Sequence, residues 1–292
     1  MTRTISTASN SPTTSMSTRH PSSPPPRALV LRTAGINCDG ETVRGLEAAG
    51  ARVDLVHLAR VLAEPARLDD ANLIVIPGGF SYGDDVSAGR VFGLELRHGL
   101  ASRLGAFVDR GGHILGVCNG FQVLVESGLF EREAGASTIP PRNVALTNNQ
   151  SNHFECRWTA MKAEDSACAW LHGLGVMPVP VAHGEGRFVV RDDATMARLR
   201  ARRQIALRYV QPDGSAARGY PANPNGSVDD IAGICDPTGR VLGLMPHPER
   251  NLTPWNHPNW TRLQAGARAP RTEGEGLAFY RRLVEASAGV HA

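Results

Sequence analysis

Residues 113–128 read HILGVCNGFQVLVESG. HILGV (113–117) is a short aliphatic run of buried-strand type, and NGFQVLVESG (119–128) has helical spacing that stops on Gly128. Cys118 stands on the corner between them, flanked at close range by Gly116 and Gly120. Glycines there relieve crowding where a strand and the following helix approach closely. G-V-C-N-G has the form of a nucleophile elbow with cysteine in place of serine. The first turn of the helix offers unpaired N–H groups and a positive partial charge, both of which favour a thiolate. Most cysteines of soluble proteins are small packing residues. The corner makes this one a candidate nucleophile.

The same grammar extends on both sides. ALVLR (28–32) opens the folded part, ETVRGLEAAG (41–50) is helical and stops on Gly50, and ARVDLVHL (51–58) alternates like a strand. NLIVIPGG (72–79) is a buried strand running into a glycine turn, and LASRLGAFVDRGG (100–112) is a helix. Near-continuous aliphatic strands alternating with helices imply an α/β fold: a doubly wound, mostly parallel sheet with helices on both faces. Further strands are expected around 143–147, 154–160, 204–210, 231–236 and 241–245, with a closing helix at 275–286. Their density suggests antiparallel additions to the sheet. No internal repeat is visible, and residues 27–292 read as one domain. Residues 1–26 are Ser/Thr/Pro-rich with almost no large apolar side chains, which predicts a disordered tail.

Composition excludes several classes. The 292 residues carry a net charge of only +3, with no basic cluster interleaved with aromatics, so nucleic acid and anionic membrane are not expected partners. No apolar run approaches the roughly 20 residues that span a bilayer. Five scattered cysteines, odd in number and without a CxxC pair, point to a reducing compartment where a thiol stays free, and so to the cytoplasm. Four N-x-[ST] sequons are read as chance matches. No phosphate-binding G-x-x-x-x-G-K-[ST] loop and no acidic cluster of magnesium type is present, so no metal or nucleotide cofactor is expected in this chain.

Open α/β sheets bind ligands beyond the carboxyl ends of their strands, which is where Cys118 falls. GLMPHPERN (243–251) also leaves a strand at that edge. Its prolines are expected to keep the segment extended, so that His247 and Glu249 project to one side. Glu249 could then bind one imidazole nitrogen and aim the other at Cys118. IPGGFSYGDD (76–85) again follows a buried strand. Its paired glycines leave backbone N–H groups free to face a developing oxyanion, which assigns the hole to the N–H groups of Gly79 and Asn119. Gln122 lies four residues after Cys118 on the same helix face. His113, inside a strand, is expected to serve packing.

GVCNGFQ, PGGFSYGDD and MPHPER together resemble the class I, triad-type glutamine amidotransferases. NQSNHFECRW (149–158), PVAHGEGRF (180–188) and NPNGSVDDIAGICD (223–236) narrow the resemblance to the glutaminase component of phosphoribosylformylglycinamidine synthase. The resemblance covers about residues 28–286. It implies hydrolysis of glutamine to glutamate, with ammonia passed to a synthetase subunit that carries ATP and magnesium, alongside a small accessory subunit, in de novo purine synthesis. It also implies that Gln122, His183 and Gly184 help hold glutamine. Departures from the family pattern occur at Asn152-His153 and Thr33-Ala34, and the stretches 159–178 and 254–272 have no assigned use. Competing readings are a glutaminase subunit of another amidating synthase, a cysteine peptidase-like hydrolase on a similar sheet, and a non-catalytic binding module of amidotransferase type.

Overall fold

The structure, a computed structural model, describes residues 24–265 and 270–289. Of the tail expected over 1–26, residues 1–23 lie outside the described residues. The strands are β1 (Arg27–Arg32), β2 (Arg52–His57), β3 (Leu73–Ile76), β4 (His113–Val117), β5 (Val144–Thr147), β6 (Glu155–Ala163), β7 (Met177–His183), β8 (Arg187–Val190), β9 (Ile205–Val210), β10 (Ile231–Cys235) and β11 (Val241–Leu244). The helices are α1 (Asp39–Ala48), α2 (Leu58–Ala63), α3 (Arg90–Glu95), α4 (Ala101–Asp109), α5 (Asn119–Ser127), α6 (Asp193–Ala201), α7 (Trp260–Ala265) and α8 (Glu275–Ser287).

Among the described residues nine strands form one sheet in the order β2-β1-β3-β4-β11-β10-β9-β6-β7, and β5 pairs with β8 separately. The run β2-β1-β3-β4-β11 is parallel throughout. This is the doubly wound fold that the alternation of aliphatic strands and helices predicts. Crossing from β1 to β2 and from β3 to β4 runs in opposite directions along the sheet, so right-handed connections put α1 and α4 on opposite faces. β3 and β4 are buried at every residue, and both are mainly aliphatic, β4 carrying His113 and Gly116 as well, because both faces are covered. The remaining strands, β10, β9, β6 and β7, continue the sheet in antiparallel fashion.

The stretch 159–178 finds its use here. β6 extends to Ala163, and β7 returns beside it with Trp158 opposite Pro180 and Ala160 opposite Pro178. β7 has no counterpart among the strands expected from the sequence, because Pro178 and Pro180 argue against a ladder position. It is the edge strand of the sheet, where a missing N–H can face outward.

The corner after β4 is as tight as its glycines imply. A Cβ on Gly120 would lie 1.9 Å from the Ile76 carbonyl oxygen, and one on Gly116 would lie 2.4 Å from the Gly120 oxygen. Both clashes are with backbone, so no rotamer change relieves them. Gly120→Ala should cost at least about 3 kcal/mol through overpacking, lowering the melting temperature by roughly 6–12 °C. Gly175→Ala, at an exposed site with nothing within 4 Å of the added atom, should stay within about 0.5 kcal/mol of wild type. Thermal denaturation of both variants checks this, and equal effects would contradict the packing analysis.

Candidate active site

Three neighbouring strands deliver the site. β4 lies between β3 and β11, with Gly116 level with both Ile76 and Gly243. The chain leaving β3 therefore presents Gly78 and Gly79, the chain leaving β4 presents Cys118, and the chain leaving β11 presents His247, all at one sheet edge. Gly78 is the spacer among them. A Cβ there would lie 2.8 Å from His247 Cε1, 3.1 Å from Cys38 Sγ and 3.3 Å from Cys118 Cβ.

Cys118 takes φ +52° and ψ −107°, the strained corner of an elbow. Its N–H donates to the Leu244 carbonyl at 2.8 Å, tying the corner to β11, and its Sγ lies 3.6 Å from the Ala182 carbonyl. His247 is anchored to β7 by its N–H donating to the Pro180 carbonyl at 2.9 Å. Its Nδ1 meets Glu249 Oε1 at 2.6 Å, and both side chains are buried. Burial alone would push the imidazole pKa down. The Glu249 carboxylate and the sulfurs of Cys118 and Cys38 outweigh it and hold the pKa well above its ordinary value. His247 Nε2 has no hydrogen-bond partner among the described residues and remains available beside the sulfurs.

The route to the His247–Glu249 pair differs from the extended segment expected of Pro-His-Pro-Glu. Pro248–Arg250 form a 3-10 turn, with Arg250 N–H donating to the His247 carbonyl at 3.2 Å. Proline suits the first position of such a turn, where no N–H is needed, and the turn brings Glu249 round beneath the ring.

Gly79 adopts φ +147°, a conformation that a side chain would strain, and neither its N–H nor that of Asn119 has a backbone acceptor among the described residues. Gly79, Cys118, Gln122, His183 and Gly184 all border one cavity of about 120 Å³, together with Phe80, Phe154, Asp84 and Glu185. Gln122 is held there, its Oε1 accepting from Asn119 Nδ2 at 2.9 Å and its Nε2 donating to the Glu185 carbonyl at 2.7 Å. His183 is buried, and burial together with nearby His247 pushes its pKa down to about 3, so the ring is neutral. His113 lies within β4, away from that cavity, its pKa pushed down to about 4 by burial. A larger cavity of about 660 Å³, bordered by Trp158 and His257, contains none of these groups.

Sequence reasoning passed over Cys38. Its Sγ accepts from Arg250 Nη2 at 3.0 Å, and it stands with His247 and Glu249 so that one ligand atom from each lies within 4.8 Å of the others. Such a trio has the donor types of a soft metal site, but Glu249 is committed to the imidazole and the guanidinium beside Cys38 disfavours a cation. The cue in the sequence was the glycine-rich loop after β1, which ends at the same sheet edge.

The polar stretches quoted from 149–158, 180–188 and 223–236 converge on the loop that carries His183 and Gly184. Asn149 Nδ2 donates to the carbonyls of His183 and His153, each at 2.8 Å, and its Oδ1 accepts from the Gly186 N–H and from His183 Nδ1, each at 3.1 Å. Asn225 Nδ2 donates to the Gly186 carbonyl at 2.8 Å, and Ser227 Oγ accepts from the Phe188 N–H at 2.9 Å.

Fold and site together define the class, an α/β glutamine amidotransferase domain, and the CobB/CobQ-like glutamine amidotransferase domain model matches residues 25–285. The chain belongs to the family of the phosphoribosylformylglycinamidine synthase subunit PurQ. A Methanococcus maripaludis protein of that name is 44% identical over 236 residues, which cover 80% of this chain and 86% of the relative. A Treponema denticola protein of the same name is 45% identical over 239 residues, covering 78% and 88%. Among solved structures, a chain of PurLQS from Thermotoga maritima matches with a TM-score of 0.62 and 31% identity, covering 89% of this chain and 98% of that one. A glutamine amidotransferase from Methylobacillus flagellatus, 15% identical with a TM-score of 0.50, shares the fold and covers 89% and 94%.

Asn149→Ala would leave the His183 carbonyl, the Gly186 N–H and one imidazole nitrogen unpaired in a buried place. The variant should lose at least about 2 kcal/mol of stability. A urea midpoint lowered at unchanged m-value would show it, and an unaltered midpoint would contradict the bracing role.

Proposed function

We propose that this chain is the glutamine-hydrolysing subunit of phosphoribosylformylglycinamidine synthase, with Cys118, His247 and Glu249 as its catalytic triad. The observation that carries the triad is the buried 2.6 Å contact between His247 and Glu249, set on the strand next to the Cys118 elbow. In this reading the Cys118 thiolate attacks the side-chain amide carbon of glutamine, and the N–H groups of Gly79 and Asn119 hold the resulting oxyanion. Imidazolium His247 gives its Nε2 proton to the departing nitrogen, so ammonia leaves and a thioester remains. The neutral ring then takes a proton from water, and the hydroxide attacks the thioester carbon. Glutamate departs with its second oxygen from that water, and the thiolate–imidazolium pair is restored. Glu249 holds the Nδ1 proton throughout, keeping Nε2 turned toward the reacting atoms. Gln122, His183 and Gly184 help hold the substrate.

The ammonia is passed to a synthetase subunit, which binds ATP and magnesium, in a complex that includes a small accessory subunit. The likeness to a chain of PurLQS supports that assembly. Residues 27–292 act as the single amidotransferase domain. Five unpaired cysteines and the absence, among the described residues, of any helix long and apolar enough to cross a membrane are consistent with cytoplasmic purine synthesis.

In the reconstituted complex, Cys118→Ala should reduce glutamine-dependent synthesis at least about 10³-fold and leave ammonia-dependent synthesis within about twofold. Equal loss of both would overturn the division of labour, as would ATP-dependent amidation by this chain alone. His247→Ala should lower glutamine turnover by a similar factor, whereas His113→Ala should change it less than about tenfold in protein that remains folded. Comparable losses in steady-state glutaminase assays would refute His247 as the proton carrier.

A further inference from the structure

One buried group beside the triad has no part in the chemistry described above. Cys38, only 1% exposed, stands at the N-cap position of α1, at the end of the loop after β1. Each polar atom of this residue is committed. Its N–H donates to the Gly78 carbonyl at 3.1 Å, which ties the β1 loop to the β3 loop. Its carbonyl accepts from the Thr42 N–H at 3.1 Å and from Thr42 Oγ1 at 2.7 Å. Its S–H donates to Asn37 Oδ1 at 3.4 Å, and its Sγ accepts from Arg250 Nη2 at 3.0 Å. Arg250 is held in turn by Glu41 at 3.4 Å.

A packing cysteine needs none of these bonds, and this one is held against the working imidazole. One ligand atom each of Cys38, His247 and Glu249 lie within 4.8 Å of one another. A Cβ on Gly78 would meet both Cys38 Sγ, at 3.1 Å, and His247 Cε1, at 2.8 Å. Glu249 already occupies Nδ1 of the ring, and Nε2 has no partner among the described residues. A thiol sulfur is polarizable and a weak acceptor, so it can lie against a charged ring without taking its proton. Burial lowers the imidazole pKa, and Glu249, then the sulfurs of Cys118 and Cys38, raise it. The other titratable groups that act on this cluster are His183, Arg250, Tyr280 and Glu41. Cys38 does not border the cavity that Cys118 borders, which places it behind the chemistry rather than in it.

We propose that Cys38 is a positioning residue for glutamine hydrolysis, its sulfur bracing the protonated His247 ring alongside Glu249 through the covalent steps. The proposal rests on the glutaminase reading of the site. Cys118 cannot give this support, because its sulfur is bonded to the acyl carbon for part of each turnover. Cys38 forms no bond with substrate, so its contact with the ring persists from one step to the next. Asn37 and Arg250 fix the second sulfur in place and keep it from replacing the first.

The test uses the assembled complex with glutamine as substrate. Cys38→Ala should lower kcat roughly 10- to 100-fold and change KM less than about threefold, as expected for lost alignment rather than a lost binding contact. Removing a group that favours the charged ring lowers the ring's pKa. The alkaline limb of kcat/KM, where the imidazolium loses its proton, should therefore move down by about 0.5–1 pH unit. Cys38→Ser, which restores an acceptor, should bring the limb back to within about 0.3 unit of wild type. Cys38→Val fills the space without an acceptor, so it should match the alanine variant, and it decides the question if that variant does not fold. The control is Cys168→Ala, at a fully buried cysteine near Cys235, which pairs with Leu242 toward the other end of β11 from His247. It should lower stability and leave the limb in place. An unmoved limb in the alanine and valine variants would overturn the assignment, as would a serine variant shifted as far as they are. If the wild-type complex releases no ammonia from glutamine, the parent reading fails, a result distinguishable from either.

Discussion

The close approach of α5 to the end of β3 governs the rest of the molecule. Gly120 leaves no room for a side chain between the start of α5 and the Ile76 carbonyl, so the helix begins immediately beside the sheet, and Cys118, the residue before it, takes a positive φ at the corner. That corner turns the Cys118 side chain out of the β4 ladder, whose own side chains are all consumed by the two covered faces. The parallel register does the remainder. Because β3, β4 and β11 are level at Ile76, Gly116 and Gly243, three chains leave the sheet side by side. Groups separated by more than a hundred residues in sequence, Cys118 and His247, then meet without a long loop, held in place by the sheet rather than by ordering of a flexible segment.

Electrostatics explains why His247 and Glu249 are buried together. A buried imidazolium and a buried carboxylate are each expensive alone, and removing one partner of such a pair typically costs about 3–5 kcal/mol. Here the charges are confined to a short chain of contacts: Glu249 beneath His247, and Arg250 reaching from the next residue to Cys38 and, at 3.4 Å, to Glu41. The 3-10 turn at Pro248–Arg250 sends the carboxylate and the guanidinium, one residue apart, to different partners. The raised pKa keeps the His247 ring charged at neutral pH, the protonation state that the proposed reaction asks of it.

Much of this was legible in the sequence, and for a definite reason. HILGV, NLIVI and the elbow glycines encode backbone constraints that act locally, so the parallel half, the Cys118 corner and the glycine turn at 78–79 follow from short windows. What escaped depends on partners distant in the chain. β7 is masked by Pro178 and Pro180, which only an edge position tolerates, and edge status is a property of the whole sheet. The turn at Pro248 was misread as extended because proline's fixed φ suits both conformations, and the anchor that decides between them is the Pro180 carbonyl on another strand. Cys38 reads as one cysteine among five until the β1 loop is placed beside Gly78. Asp84 and Glu185 are ordinary loop acids until the fold sets them across one cavity.

The antiparallel half is therefore more than an extension of the sheet. β7 supplies Ala182 and His183 and aims the loop that follows it, while Asn149 and Asn225 pin that loop from outside. An amide side chain offers donors and acceptor together, so two asparagines satisfy a turn whose carbonyls and N–H groups would otherwise need water. The walls of the cavity consequently come from both halves: Gly79 and Cys118 from the ends of the parallel strands, and Ala182, His183 and Gly184 from the antiparallel side. The elbow is fixed by backbone contacts within the parallel strands, whereas the facing wall is a loop held by side-chain amides, so the two sides of the cavity owe their shape to different interactions.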